Sequence, residues 1–384
     1  MKIILVDTAY AGLLKKLGLL ENPSKKGIGY QEAAKKLDAE AFGSFPLYER
    51  SLRDLGHDVQ LITPNNRLAQ LIWARANGVK VWFSHAVFFS HWEWISRFPF
   101  FGHWFQHWSP VGRILKAQLI SAQAQLVLVG DLSLLSASQI RGIREATGCI
   151  IFGQIAAPLP SRSHLSSYDL IFSAHPGIVM ALTKQGLDAK FLPLAFGEPA
   201  DIVAPTPYDR RRNTAAFIGS FGRHHRINYT LLEALKHVCP DIEIYGNPSM
   251  RKLKGLGLEG NYKGKVFGKE MLEIFGQVKV GVNRHAKFAN SFAVNMRMYE
   301  VTGRGAALLT ESFENLHDLF PEGSVVGYED SIDAAKLLDQ LLNEGLPARD
   351  IASKGQIHTL EKHTYVSRSI EILNEYQDRR GLLN

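Results

Sequence analysis

The sequence predicts an α/β protein made of two doubly wound parallel sheets that face a central cleft. Three observations carry this expectation. Short apolar runs alternate with amphipathic stretches along most of the chain, the alternation occurs in two sets, and a segment rich in proline and charge separates the sets. In open α/β sheets ligands bind beyond the carboxyl ends of the strands, so the residues that directly follow strands are the candidates for chemistry.

In the first set the expected strands are 3–6, 59–62, 126–129, 150–155, 170–173 and 191–196. The first follows Met1-Lys2 and stops at Asp7 after only four apolar residues, which reads as a strand and not as a signal peptide. The second set places strands at 215–218, 242–245, 278–282, 306–309 and 325–328, with amphipathic helices at 229–237 and 333–343 between them. The stretch 197–213 holds three prolines and a charge run, and marks the boundary. The expected domains are therefore 1–200, 201–360 and a helical tail, 361–384, with the tail helix itself over 363–377.

Composition narrows the function classes. Of 384 residues 46% are apolar and 21% charged, which describes an ordinary globular chain. The net charge of +7 is spread along the sequence and so selects no anionic partner by itself. Cys149 and Cys239 are the only cysteines, and neither lies in a C-x-x-C pair, which excludes disulfide scaffolds and cysteine zinc sites and suits a reducing cytoplasm. No run approaches the roughly 18 apolar residues of a membrane span. No nucleic-acid motif accompanies the basic charge, so nucleic acid is not an expected partner.

Three stretches stand where chemistry is expected. In "FIGSFGRHHR", 217–226, Gly219 and Gly222 permit close backbone approach to a ligand, while Arg223 and Arg226 suit phosphate oxygens. The structural alternative is a glycine turn with solvated arginines. In "VGVNRHAKFANSF" the strand 278–282 delivers Asn283, Arg284, His285 and Lys287 into a loop, a second anion contact or a solvated one. In "NMRMYEVTGRGAALLTE", 295–311, a helix over 292–302 would make Arg297 and Glu300 i,i+3 neighbours, hence a structural ion pair. Lying beside a strand, the same carboxylate also suits the vicinal diol of a ribose.

These segments, with "HTYVSRSIEIL" near the end, resemble the glycosyltransferase-like half of the CgeB-type proteins, a group of GT-B glycosyltransferases. "LKAQLISAQAQLVLVGDLSLL", "GQIAAPLP", "YDLIFSAHPGIV" and "LPLAF" extend the resemblance through the first half. It implies the GT-B fold, with two Rossmann-like domains and a final helix that returns to the N-terminal one. It also implies a nucleoside-diphosphate-sugar donor, UDP-sugar favoured, with no cofactor. By position Glu300 would bind the ribose, Gly305 would allow close approach behind it, and Gly219, Ser220 and Arg226 would surround the diphosphate. Asn295, Arg297, Arg223 and Arg284, taken from the residues themselves, are the further donor-binding candidates. One departure stands out. Many retaining GT-B enzymes carry an acid eight positions before the ribose-binding glutamate, and Phe292 occupies that position here.

Glycosyl transfer needs stabilisation of the departing diphosphate and a base for the acceptor hydroxyl. There is no Asp-x-Asp, so arginines and backbone N–H groups take the first role and a metal-independent reaction is expected. For the base, His175, Asp131 and Asp7 each follow a strand, in that order of preference; an aspartate there is more often a turn or cap. The segment 81–110 carries Trp82, Trp92, Trp94, Trp104 and Trp108 with His85, His91, His103 and His107. Its spacing matches no metal motif; an acceptor-binding or membrane-touching flap and a buried packing layer are the alternatives. The expected enzyme is thus a cytoplasmic glycosyltransferase acting on a glycan, lipid-linked or protein acceptor, with peripheral membrane contact through 81–110. A nucleotide-sugar epimerase and a noncatalytic nucleotide- or glycan-binding protein share the same fold features.

Overall fold

The computed structural model describes residues 1–20, 28–38, 43–80, 110–155, 159, 162–221, 228–286 and 291–383. The chain divides into two compact units, Met1–Leu192 with Ser369–Asn384, and Pro193–Arg368. The division thus falls at Pro193, earlier than the proline-rich stretch suggested, and the tail joins the first unit from Ser369.

Unit 1 holds a six-stranded parallel sheet in the order β2-β1-β3-β4-β5-β6. Its strands are β1 (Lys2–Val6), β2 (Asp58–Ile62), β3 (Leu126–Val129), β4 (Ile150–Gln154), β5 (Leu170–Ser173) and β6 (Ala189–Phe191). Strands β3 and β5 have the expected bounds. The run expected at 191–196 does not form: the strand ends at Phe191, and Pro193 has no N–H to continue a ladder. One face of the sheet, with Ile4, Val6, Val127, Val129, Ile151 and Ile171, packs on helices Pro110–Ala122 and Ala137–Thr147 through Ile114, Leu115, Ile140 and Ile143. Helix Ala137–Thr147 is started by a reciprocal cap between Ser136 and Gln139 and stopped by Gly148 at φ 68°.

Unit 2 holds a second six-stranded parallel sheet, β12-β11-β10-β7-β8-β9. Its strands are β7 (Arg212–Gly219), β8 (Glu243–Gly246), β9 (Tyr262–Gly264), β10 (Val278–Val282), β11 (Ala307–Glu311) and β12 (Val326–Tyr328). Counted within the unit, this is the strand order of dinucleotide-binding folds, with its topological switch between β7 and β10. Those two strands pair in parallel, Val282 opposite Phe217. The sheet is apolar on both faces, as a covered parallel sheet must be: Val280, Val282 and Leu309 on one, Ala216, Ile218 and Leu308 on the other. The edge strand β9, Tyr-Lys-Gly, was not anticipated, because its composition carries little strand signal.

The helix expected over 292–302 begins only at Arg297 and runs to Gly303. The residues before it have spent their backbone groups elsewhere. The Ala293 carbonyl, which a helix from Phe292 would offer to the Arg297 N–H, accepts instead from Asn315 Nδ2 at 3.2 Å, and the Ala293 N–H donates to Asn315 Oδ1 at 2.6 Å. A side chain remote in sequence thus outcompetes the local helical pattern. The tail helix expected over 363–377 spans Tyr365–Leu383, after a separate helix that ends at Lys362.

Candidate functional site

In unit 2, polar side chains gather where β7, β10 and β11 end. The Ser220 carbonyl, just past β7, accepts from Asn228 Nδ2 at 2.8 Å. Asn228 Oδ1 in turn accepts from Arg284 Nη1 at 3.2 Å, just past β10. Arg284 Nε lies 3.3 Å from Glu311 Oε1, the last residue of β11, whose other oxygen takes the His285 N–H at 2.6 Å. Three strand ends on both sides of the switch point are therefore tied by one chain of hydrogen bonds. Burial raises the Glu311 carboxyl above its ordinary range, with the His285 N–H and Arg284 acting against it. Arg284 is thus paired with Glu311 and Asn228, and is part of the frame as well as a candidate phosphate ligand.

His285 is 1% exposed, and burial pushes its imidazole down to about 3, with Arg284 adding to the effect. It serves as a neutral strut. Its ring lies 5.0 Å from that of Phe313 and its nitrogens reach Val294 N, Asn283 Nδ2 and Thr310 Oγ1. Asn295 joins the frame from the side of the helix Arg297–Gly303, donating to Asn283 Oδ1 at 2.9 Å and to the Arg284 carbonyl at 3.3 Å.

Arg297 and Glu300 form the ion pair their spacing implies, Nη1 to Oε2 at 2.5 Å. The pair is mostly buried, and the guanidinium lies 5.4 Å over the Phe275 ring. Desolvation raises the Glu300 carboxyl and Arg297 opposes it. Among the described residues no donor other than Arg297 reaches this carboxylate, so Oε1 retains acceptor capacity.

Gly305 is elsewhere. It caps the helix Arg297–Gly303 at φ 70°, and its carbonyl accepts from Arg211 Nη1 at 2.6 Å. Arg211 directly precedes β7, and Gly305 itself precedes β11, so both mark the amino ends of parallel strands, the edge opposite the switch-point crevice. The close approach that Gly305 permits is to Gln356. Arg304 between the two glycines is 2% exposed and bonded to Glu198, Val203 and Leu272, so the Gly-Arg-Gly turn is structural. Gly219 closes β7 over the ring of Phe217, where a Cβ would come within 2.8 Å, and Ser220 beyond it is exposed. Arg223 and Arg226, with Gly222 and Lys287, lie outside the described residues, as does the segment 81–109.

In unit 1 the order β2-β1-β3 puts the switch between β1 and β3, and Asp7 follows β1 there. Its Oδ1 sits 2.7 Å from the position a Cβ on Gly130 would take, and the Phe45 ring lies as close to that same point. Desolvation, then the nearby Asp131, pushes the Asp7 carboxyl up to about 7, against one hydrogen bond from Thr8. Asp131 Oδ1 accepts from the Ser133 N–H at 3.0 Å and its hydroxyl at 2.5 Å, a turn-forming arrangement. His175 is buried at the start of helix Pro176–Lys184, where Nδ1 accepts from the Gly177 N–H at 3.1 Å. That bond commits the lone pair a base needs, so the first-ranked histidine is a helix cap. Asp7 and Asp131 are brought together; His175 follows β5, two strands beyond β3.

Sequence reasoning had assigned no part to Asn228, Asn247, Thr310 or Glu311. Asn247 Oδ1 takes the Phe221 N–H at 3.1 Å and steadies the turn after β7. Glu311 was detectable, since an acid ending an apolar strand is the same signal that selected Asp7; the asparagines carried none.

Residues 223–374 match a family model described as glycosyl transferase-like. No curated protein sequence matches the chain. Among solved structures, sucrose-phosphate synthase from Thermosynechococcus elongatus is similar over the whole of both chains, at 11% identity and a TM-score of 0.60. Anabaena HepE, solved with UDP-glucose, aligns over 98% of this chain and 100% of its own, at 12% identity and a TM-score of 0.60. A glycosyltransferase from Rickettsia africae aligns over 98% of each chain, at 11% identity and a TM-score of 0.59. Two parallel six-stranded sheets and these likenesses give the GT-B fold, and residues 223–374 are similar to the glycosyl transferase-like family model.

Proposed function

We propose that this chain transfers a sugar from a nucleoside-diphosphate sugar to a glycan, lipid-linked or protein acceptor, without a metal, as a CgeB-like member of the glycosyltransferases. The observation that carries the reading is the polar frame at the switch point of unit 2, where Ser220, Arg284 and Asn295 meet near the Arg297–Glu300 pair. A UDP-sugar is the favoured donor, because HepE binds UDP-glucose on the same fold. Glu300 would hold the ribose diol through its unoccupied acceptor sites. Backbone N–H groups after β7, with Arg223, Arg226 and Arg284, would take the diphosphate charge as the anomeric C–O bond breaks.

Asp7 is the preferred base in place of His175. It sits at the other switch point, has no described cation partner, and is poised near neutrality, where a base is most effective. The acceptor oxygen would attack the anomeric carbon while its proton passes to the Asp7 carboxylate. Among the described residues no helix is long and apolar enough to cross a membrane, and the proposal places the protein in the cytoplasm, with peripheral contact through 81–110.

Thermal unfolding in EDTA with UDP, GDP, dTDP, CMP and their sugars tests the donor site. At about 100 times its dissociation constant the right nucleotide stabilises by roughly 2.7 kcal/mol, which raises the midpoint by roughly 5–10 °C. The rise is expected to shrink or vanish in Glu300→Ala. A shift from none of them in wild type would overturn the metal-free site and favour a different ligand.

A further inference from the structure

We propose that the side-chain oxygen of Asn295 accepts a hydrogen bond from an uncharged O–H or N–H of the bound donor, and so helps select it. The inference rests on the donor-site reading above and gives that site a discriminating residue. The Asn295 amide lies between the end of β10 and the start of helix Arg297–Gly303. Its nitrogen donates to Asn283 Oδ1 at 2.9 Å and to the Arg284 carbonyl at 3.3 Å. A backbone carbonyl only accepts, so the amino group must face it and the oxygen must point away. That oxygen is buried and has no hydrogen-bond partner among the described residues.

A buried acceptor without a donor is uncommon in a folded protein and is a place where a ligand completes the structure. The amide cannot turn to satisfy itself, because its support is fixed on several sides. Asn283 Nδ2 donates to Thr310 Oγ1 at 2.8 Å, and the Asn283 carbonyl accepts from the Tyr328 hydroxyl at 3.0 Å. The buried His285 ring stands behind both Asn283 and Thr310. Asn283, Thr310 and Tyr328 lie at the carboxyl ends of β10, β11 and β12, the ligand-binding edge of a parallel sheet.

The chemistry of the unpaired acceptor is specific. An amide oxygen repels phosphate oxygens, so the diphosphate is not its partner. It suits a hydroxyl of the transferred sugar, or an O–H or N–H of the nucleoside. A variant series in calorimetric titrations distinguishes these sources.

Full-length wild type, Asn295→Ala and Thr310→Val would be titrated with UDP, GDP, dTDP and CMP and with the corresponding nucleotide sugars. Asn295→Ala is expected to weaken the nucleotide sugar about tenfold, the loss of one good hydrogen bond. Unchanged affinity for the bare nucleotide assigns the oxygen to the sugar; an equal loss for both assigns it to the nucleoside. Thr310→Val, which loosens the Asn283 support without touching Asn295, is expected to lose about threefold on the same ligand and serves if Asn295→Ala does not fold. Wild-type binding that neither variant alters would overturn this inference and leave the donor site standing. Wild type that binds none of the nucleotides or their sugars would remove the donor site, and this inference with it.

Discussion

Asp7 illustrates how one half-buried carboxylate couples stability to chemistry. Its folded-state value of about 7 stands above the ordinary 3.8, so the folded protein holds a proton that the unfolded chain releases. The sign follows: this group's contribution to stability is full below pH 3.8 and is lost as pH rises through about 7. Asp7→Asn keeps the shape and the acceptor for Thr8 but cannot ionise. Relative to wild type it is expected to gain on the order of 2 kcal/mol above pH 7, less near pH 4, in denaturant unfolding. The same variant is expected to lose about 10²–10⁴-fold in transfer rate if Asp7 is the base. A variant that is less stable at pH 8 would contradict the raised carboxyl; one that is more stable yet fully active would return the base to an unassigned residue. His175 teaches the converse, since its place after a strand looked catalytic and its imidazole lone pair is held by a helix cap.

At the scale of elements, the site depends on how closely strand ends approach. Gly246 closes β8 at φ 140°, and a Cβ there would lie 2.0 Å from the Gly219 carbonyl oxygen at the end of β7. Both the backbone conformation and the contact forbid a side chain. Gly246→Ala is expected to cost about 2–4 kcal/mol and to weaken nucleotide binding, because it pushes the β7 turn out of place. Gly255→Ala is the matched control: a Cβ there meets nothing within 4 Å, and the change should stay within about 1 kcal/mol. Equal destabilisation by the two substitutions would refute the role given to the β7–β8 approach. The late start of helix Arg297–Gly303 belongs to the same scale. Periodicity alone extends it to Phe292, but the Asn315 amide takes the Ala293 carbonyl that the Arg297 N–H would need.

Over the whole molecule, the two edges of the unit 2 sheet have different work. The carboxyl-end edge carries Ser220, Arg284 and Asn295 with their polar frame. The amino-end edge is bolted by buried Arg211 and Arg304, which bond to carbonyls of Thr206, Gly305, Leu272 and Val203. Hydrogen exchange with a saturating nucleotide is therefore expected to show new protection in 219–221, 283–286 and 294–300, and none at 303–306. Protection at Gly305 equal to that at Glu300 would restore Gly305 to the donor site and overturn the edge assignment.

Much of this was legible in one dimension. Continuous apolar strands such as Leu126–Val129 and Val278–Val282 announce a covered parallel sheet, and the Arg297–Glu300 pair follows from helical spacing. What the amino-acid sequence determined by itself was the class of fold and the stretches that follow strands, because both depend on local periodicity. Only the tertiary structure decided which of those residues are free to act. The commitment of His175 to Gly177, the partnership of Asp7 with Asp131, the removal of Gly305 to the far edge and the orphaned oxygen of Asn295 all depend on where neighbours stand. Burial and hydrogen-bond competition are set by atoms distant along the chain, and no local pattern encodes them.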